Sequence, residues 1–303
     1  MARRQPQFVH LRSRSPYSIL EGALKIKETA ARCKRWRMPA LGLTDTNNMC
    51  GALEFSEIMS KEGVQPIIGL TLSLDLELDA QPGQIRREPD GTIALLAKTE
   101  LGYGNLMELS SASFLDVEAT DLPHVMASRV TAHSADVIAL TGGPDGALNR
   151  LVCQGRLEEA EKWLERLIAA FPGNLYVELQ RHGLPQEIEA EKTLIDWAYE
   201  KSLPLVATNE PYFLDPELHK AHDALLAISE GSYILEKDRR KVSDQHYFKS
   251  EEQMIELFKD IPEAIENTID IARRCAFKSE KRKPILPNFG DGSQSEGDIL
   301  ADQ

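Results

Sequence analysis

The side chains best placed for chemistry sit where short apolar runs give way to polar loops. Phe8-Val9-His10-Leu11 leads into Arg12-Ser13-Arg14-Ser15-Pro16 and then Tyr17-Ser18. A strand that opens into a loop before a helix is where α/β proteins place their reacting groups. That loop presents His10, Arg12 and Arg14 at alternate positions, and alternate residues of an extended chain point the same way. Arg12 and Arg14 are therefore expected to project together. Other runs end comparably, in Asp45-Thr46-Asn47-Asn48, in Arg181-His182-Gly183 and in Thr208-Asn209-Glu210. Residues alone leave three readings of this set open: a metal pocket, a phosphate pocket, or neither.

The elements that would position these groups alternate along the chain. Strands are expected at 8–11, 40–44, 66–72 (with an extension or a hairpin partner to 78), 92–97, 137–141, 174–180 and 203–207. Helices are expected at 23–37, 51–61, 102–114, 157–171, 186–201, 216–230, 250–258 and 262–275. In the first helix Leu24, Ala30, Cys33 and Ala31 are expected to face inward. Gln81-Pro82-Gly83 and Pro89-Asp90-Gly91 read as turns, since Gly and Pro supply the φ values that turns need. Strand-first alternation implies a mainly parallel α/β sheet with right-handed crossovers, and does not separate an open sheet from a barrel. Ser295-Glu296-Gly297-Asp298 has capping-box spacing, so a helix is expected to start there. The expected organisation is one domain over 1–277, then a charged linker and the truncated start of a further region over 278–303.

Charge and composition limit the function. The chain has 303 residues and a net charge of −13, yet its first forty residues hold ten Lys/Arg and two Glu, a local +8 that leaves −21 for the remainder. An acidic body repels a nucleic-acid backbone over most of its surface. Two readings of the basic N-terminal face stay open: contact with a nucleic-acid backbone, or Lys25, Lys27, Arg32, Lys34, Arg35 and Arg37 as simply the solvated face of the first helix. No apolar run is long enough to span a membrane. The four cysteines lack CxxC spacing and read as buried thiols of a reducing cytosol. Gly142-Gly143-Pro144-Asp145-Gly146 lacks the residues of a nucleotide loop. His124, His133, His219, His222 and His246 read as loop or helix-surface residues, and Trp36, Trp163 and Trp197 as packing residues.

Taken together, Phe8–Leu11 with Tyr17-Ser18, Leu41-Gly42-Leu43-Thr44-Asp45, Gln65–Gly69, Ala94–Lys98, Glu178–Gly183, Val206–Glu210, His222-Asp223, Tyr247–Met254 and Ile261–Ala264 follow one another in a recognisable order. The chain resembles the N-terminal polymerase-and-histidinol-phosphatase (PHP) domain of bacterial replicative DNA polymerase alpha subunits. The resemblance implies a distorted seven-stranded β/α barrel. In metal-binding members it also implies two or three divalent ions at the C-terminal strand ends, hydrolysing phosphate esters or serving as a proofreading exonuclease. Clustered ions would activate water and clamp phosphate oxygens there.

This sequence departs from that pattern. Arg12-Ser13-Arg14 stands where metal-binding members carry His-x-His. Thr46 replaces a histidine, Thr71 a glutamate, and Glu210-Pro211-Tyr212 an Asp-x-His; Asp45 and His182 remain. Guanidiniums stay protonated and bind no cation. The pocket positions Arg12, Arg14, Asp45, Thr46, Thr71, His182, Glu210 and Tyr212 are thus expected to be vestigial, with no catalytic and no metal-ligating residue. Arg12 and Arg14 are expected to pair with Asp45 and Glu210 in place of the ions, and phosphate contact at the two arginines is a further expectation. Asp45 is expected to cap a helix or pair with arginine, and His182 to be hydrogen-bonded in a former pocket. The resemblance implies a non-catalytic structural and docking module of a cytoplasmic replicative polymerase. Its partners would be the rest of that chain and a proofreading exonuclease subunit, with DNA met only through the parent chain. No cofactor is expected in this fragment; Mg²⁺ would serve the polymerase region. The alternative is a metal-dependent phosphoesterase or 3′–5′ exonuclease with an altered ligand set.

Overall fold

The computed structural model describes residues 7–78, 88–283 and 296–301. Seven strands form one sheet there: β1 (Ala40–Leu43), β2 (Gln65–Asp75), β3 (Gly91–Ala97), β4 (Val125–Met126), β5 (Val137–Leu140), β6 (Leu175–Leu179) and β7 (Leu205–Ala207). Their order is β1-β2-β3-β5-β6-β7, with β4 pairing onto the far end of β2. Pairing is mainly parallel, as expected: β1–β2, β2–β4, β5–β6 and β6–β7. The departure is β3, antiparallel to both β2 and β5. Leu74 pairs with Gly91, so the chain doubles back as a hairpin between β2 and β3 instead of crossing over through a helix. The turn expected at 81–83 lies outside the described residues.

The helices are α1 (Ile26–Trp36), α2 (Ala52–Lys61), α3 (Glu100–Leu115), α4 (Ala127–Ala132), α5 (Ala147–Cys153), α6 (Leu157–Ala170), α7 (Pro185–Glu200), α8 (His219–Glu230), α9 (Glu251–Leu257), α10 (Pro262–Arg274) and α11 (Glu296–Ala301). The short α4 and α5 escape the sequence reading because one or two turns carry too little periodicity to register. α1 starts three residues later than expected. The Ala23 and Leu24 N–H groups are taken by the carbonyls of Tyr212 and Arg14, which ties this stretch to the site instead of to the helix. Leu24, Ala30 and Cys33 are buried, but Ala31 is exposed. The lysines and arginines of this region are solvated except Arg32, whose guanidinium lies 4.9 Å from the Trp36 ring and 2.9 Å from Asp215. Among the cysteines, Cys33 and Cys275 are buried while Cys50 is exposed, and all four are free.

Period-two alternation divides the core into two shells. Ile93, Leu95 and Ala97 of β3, Val137 and Ala139 of β5, Leu175, Val177 and Leu179 of β6, and Leu205 and Ala207 of β7 face the helices. Their neighbours Ala94, Leu96, Ile138, Leu140, Tyr176 and Val206 pack inward against Val9, Leu11 and Ile67. Glu178 occupies an inward position of β6, wholly buried.

The first strand expected, 8–11, is extended but makes one bridge only, His10 to Leu41 of β1. It still closes the sheet into a distorted barrel. On one side Gly42 N–H donates to His10 O and Thr44 N–H to Ser13 O; on the other Arg14 N–H donates to Pro211 O beyond β7. Lower down, α10 bridges the gap with side chains. Thr268 Oγ1 accepts the Val9 N–H at 3.0 Å, and Asn267 Nδ2 donates to Leu205 O at 2.8 Å.

Candidate functional site

Four loops converge at the closed end of the barrel: 12–21, 44–48, 178–182 and 208–212. Arg12 and Arg14 project together, as alternation requires. His10 does not join them. Its ring stacks on Phe248 with centroids 4.5 Å apart, and its Nε2 contacts Lys249 O at 2.8 Å. The alternation breaks at Leu11–Arg12, where both side chains turn inward.

Arg12 donates from Nη1 to Glu178 Oε1 at 2.9 Å and from Nη2 to Thr71 Oγ1 at 3.2 Å and to Glu210 Oε1. Arg14 reaches the same Glu210 oxygen from Nε at 2.9 Å and from Nη2 at 2.5 Å. Its Nη1 meets Thr46 Oγ1 and lies 3.5 Å from Glu21 Oε2, while the Tyr212 ring sits 5.7 Å from its Cζ. Glu21 in turn accepts from Arg240. The result is a continuous chain of alternating charge, Glu178–Arg12–Glu210–Arg14–Glu21–Arg240. Glu178 is further held by Gln180 Nε2 at 2.8 Å, the Gly142 N–H at 3.0 Å and the Thr208 hydroxyl.

Neighbouring charge sets the ionisation of Arg12, Arg14, Glu21 and Glu210. Burial alone would lower the pKa of Arg12, but Glu178 and Glu210 raise it above its ordinary value. The same contest, with Glu21 and Glu210 opposing burial, lifts Arg14 further. Burial pushes Glu21 and Glu210 up, and the arginines more than reverse it: Glu21 is held down at about 2, and Glu210 also lies below its ordinary value. Glu210 adopts φ +44°, a left-handed conformation that costs a non-glycine residue about 1–2 kcal/mol. The ion contacts are what hold it there.

Asp45 bonds to serines and not to the arginines, although the charge of Arg14 still acts on it. Its Oδ1 accepts from the Ser15 N–H at 2.8 Å and from Ser18 Oγ at 2.6 Å, and its Oδ2 from Ser15 Oγ at 2.7 Å. Burial raises its pKa despite these bonds. The carboxylates that Arg12 and Arg14 engage besides Glu210 are Glu178 and Glu21, which the sequence reading did not single out. Glu178 was legible: a glutamate at the inward register of an otherwise apolar strand must find a buried cation. Glu21, Gln180 and Arg240 carried no such signal.

His182 is hydrogen-bonded, as expected, but away from the ion chain. Its Nδ1 lies 2.7 Å from Glu187 Oε1 and its Nε2 2.6 Å from Asn209 O, and the His246 ring stacks on it at 3.7 Å. Burial and His182 together depress His246 to about 2. His124 and His246 lie in loops, as expected, but they are buried there, and His222 is buried on α8 instead of lying on its surface. Each makes a bond that fixes a loop: His124 to Leu122 O, His222 to Glu21 O, His246 to Ser243.

A cavity of about 570 Å³ opens beside the chain, lined in part by Gln180, Glu210, Tyr212, Arg240 and His246. The arginines on its wall are Arg150 and Arg240, not Arg12 or Arg14. A cluster of divalent ions does not fit the residues present. The inward carboxylates Glu178 and Glu210 are already bound to guanidiniums, and arginine contributes positive charge and no lone pair. Among the described residues no group of three or more His, Cys, Asp or Glu is arranged to hold a metal ion.

The PHP domain family model matches residues 10–182. The chain is 46% identical over 298 residues to the DNA polymerase III subunit alpha of Caulobacter vibrioides, covering 98% of this chain and 26% of that one. It is 39% identical to the same subunit of Rickettsia prowazekii, covering 96% and 24%, and 35% identical to that of Vibrio cholerae, covering 97% and 25%. It therefore spans about a quarter of the length of these curated relatives. The chain belongs to the PHP domain family, in the form found within DNA polymerase III alpha subunits.

Proposed function

We propose that this domain is a non-catalytic structural module of a replicative DNA polymerase chain, bracing the polymerase region and offering a docking surface to a separate proofreading exonuclease subunit. The observation that carries the first half is the buried chain of alternating charge. Arg12 and Arg14 supply the positive charge that ions would supply, already neutralised by Glu178, Glu210 and Glu21. Such a network holds its loops in one arrangement, because breaking a single link strands a buried charge. Catalysis of ester hydrolysis would need a bound water activated by Lewis-acidic ions, and no residue set of that kind accompanies the arginines among the described residues. The similarity to alpha subunits supports the polymerase setting. Polymerisation itself would reside in the remainder of the parent chain, with Mg²⁺ as its cofactor.

Elemental mass spectrometry tests the reading, on protein purified without chelator and again after dialysis against Zn²⁺ and Mn²⁺. Less than about a tenth of an equivalent is expected to remain bound. One or more tightly held equivalents, with nuclease activity that Glu210→Gln abolishes, would return the site to a metal-dependent phosphoesterase with an altered ligand set.

A further inference from the structure

Helix α3 is apolar on both sides. Leu106, Leu109 and Ala112 pack into the core, while Leu101, Met107, Phe114 and Leu115 lie exposed on the opposite face, Leu115 by 80%. At 100° per residue these four fall in one stripe with Gly104 and Ser111; its charges are Glu108 and, at the first residue of the helix, Glu100, which pairs with Arg282. A helix that is hydrophobic all round is ordinarily buried all round. Beside the stripe, the 122–126 segment is tied to α3 by the His124 N–H bond to Ser113 O and adds exposed Leu122 and Met126. Cavities of about 390 and 330 Å³ run along the helix and share Ala112, Asp116 and Arg129, so the face is grooved.

Two glycines sharpen the point. A Cβ on Gly102 would strike the Asp136 carbonyl, so the molecule itself explains that glycine. A Cβ on Gly104 would meet nothing within 4 Å, and Gly104 lines the larger cavity. Glycine inside a helix is unfavourable relative to alanine, and no contact among the described residues requires it here. A notch that serves no internal contact suits close approach from outside.

The chain itself leads to this helix. After α10, the Phe277 ring packs 5.2 Å from Tyr103, the Ser279 N–H donates to Ser56 Oγ, and Arg282 pairs with Glu100 at the first residue of α3. Residue 283 is thereby delivered to this end of the stripe, and the relatives run about four times the length matched here.

We propose that the outward face of α3, notched at Gly104, is the seat of a segment of the parent chain beyond residue 303, packing apolar side chains along Leu101, Met107, Phe114 and Leu115. The inference rests on the reading that the domain belongs to a longer polymerase chain, and names the surface by which it braces that chain.

The test is maleimide labelling of the full-length chain carrying Met107→Cys, Leu115→Cys or, as an exposed control on α6, Leu157→Cys, read site by site by peptide mass spectrometry. In the 303-residue chain the three sites should label at similar rates. In the full-length chain Met107→Cys and Leu115→Cys should label about tenfold or more slowly than the control, at every protein concentration. Equal rates would overturn the proposal. Protection lost on dilution would assign the face to a second copy, and protection gained only on adding the separate exonuclease subunit would assign it to that partner; either overturns it. A native chain found by intact mass to end near residue 303 would instead remove the proposed function itself.

Discussion

Arg12 and Glu178 meet at 2.9 Å although 166 positions separate them in the sequence, and both side chains are completely enclosed. Their ion pair joins the segment that closes the barrel to the middle of β6. Buried pairs of this kind contribute little beyond an apolar substitute, but losing one partner is costly.

Arg12→Ala is therefore expected to destabilise the domain by about 3–5 kcal/mol, because Glu178 and Glu210 both lose a buried cation. Arg12→Met combined with Glu178→Leu should recover a large part of that loss. Urea unfolding of Arg12→Met, Glu178→Leu and the double variant, beside Arg12→Ala, checks it. Additive losses would mean the two groups do not act as a pair.

Acid should weaken the fold in two stages. Burial, with Lys249 adding to it, depresses His10 to about 4 against an ordinary 6.5, so its neutral form favours folding above pH 6.5 and that stability is lost as pH falls toward 4. Glu21, held at about 2 against an ordinary 4.5, contributes stability that is complete above pH 4.5 and lost as pH falls toward 2. That second contribution is on the order of 3 kcal/mol. Stability against pH should flatten between 4.5 and 2 in Glu21→Gln, and between 6.5 and 4 in His10→Phe. Unchanged slopes in the variants would assign the acid sensitivity to other groups.

Chelation should leave the melting temperature where it was. If ions completed this pocket, EDTA would strand carboxylates and lower the transition by several degrees, roughly 2–4 °C per kcal/mol lost in a domain this large. Differential scanning calorimetry with and without chelator distinguishes the cases.

The two glycines of α3 should respond in opposite directions. In the 303-residue chain Gly104→Ala is expected to be neutral or to stabilise by up to about 1 kcal/mol, because open space surrounds the new methyl group. Gly102→Ala should destabilise by about 1–3 kcal/mol through collision with the Asp136 carbonyl. Thermal unfolding of both variants measures the contrast.

The helix and strand succession was legible because most elements are long enough to show a pattern: α6 and α10 bury one face each, and β2 with its continuation sends Leu70, Leu72, Leu74 and Leu76 to one side. What escaped was short or non-local. β4 has two residues, and 8–11 proved extended without being a ladder because its partners are side chains of α10 as much as strands. At the site, alternation predicted that Arg12 and Arg14 would converge, and Glu210 was foreseen as their partner. Asp45 was assigned wrongly because nothing in a list of residues reveals that Ser15 and Ser18, on the same loop as the arginines, reach it first. Arg240 joins Glu21 across more than two hundred residues, a contact that spacing alone does not encode.

The seam between the first segment and α10 also bears on how the protein is made. The Val9 N–H waits for the hydroxyl of Thr268, and Gly42 and Thr44 can hold the opening segment from one side only. On the ribosome, synthesis of the intervening chain at about 5–20 residues per second takes many seconds, during which Val9 and Leu11 lack part of their cover. The segment at 8–11 thus emerges well before α10 and is among the last to be sealed. Completion of the barrel therefore requires a chain made past α10: one that ends earlier lacks Thr268 and Asn267 and leaves Val9, Leu11 and Ile67 short of their cover.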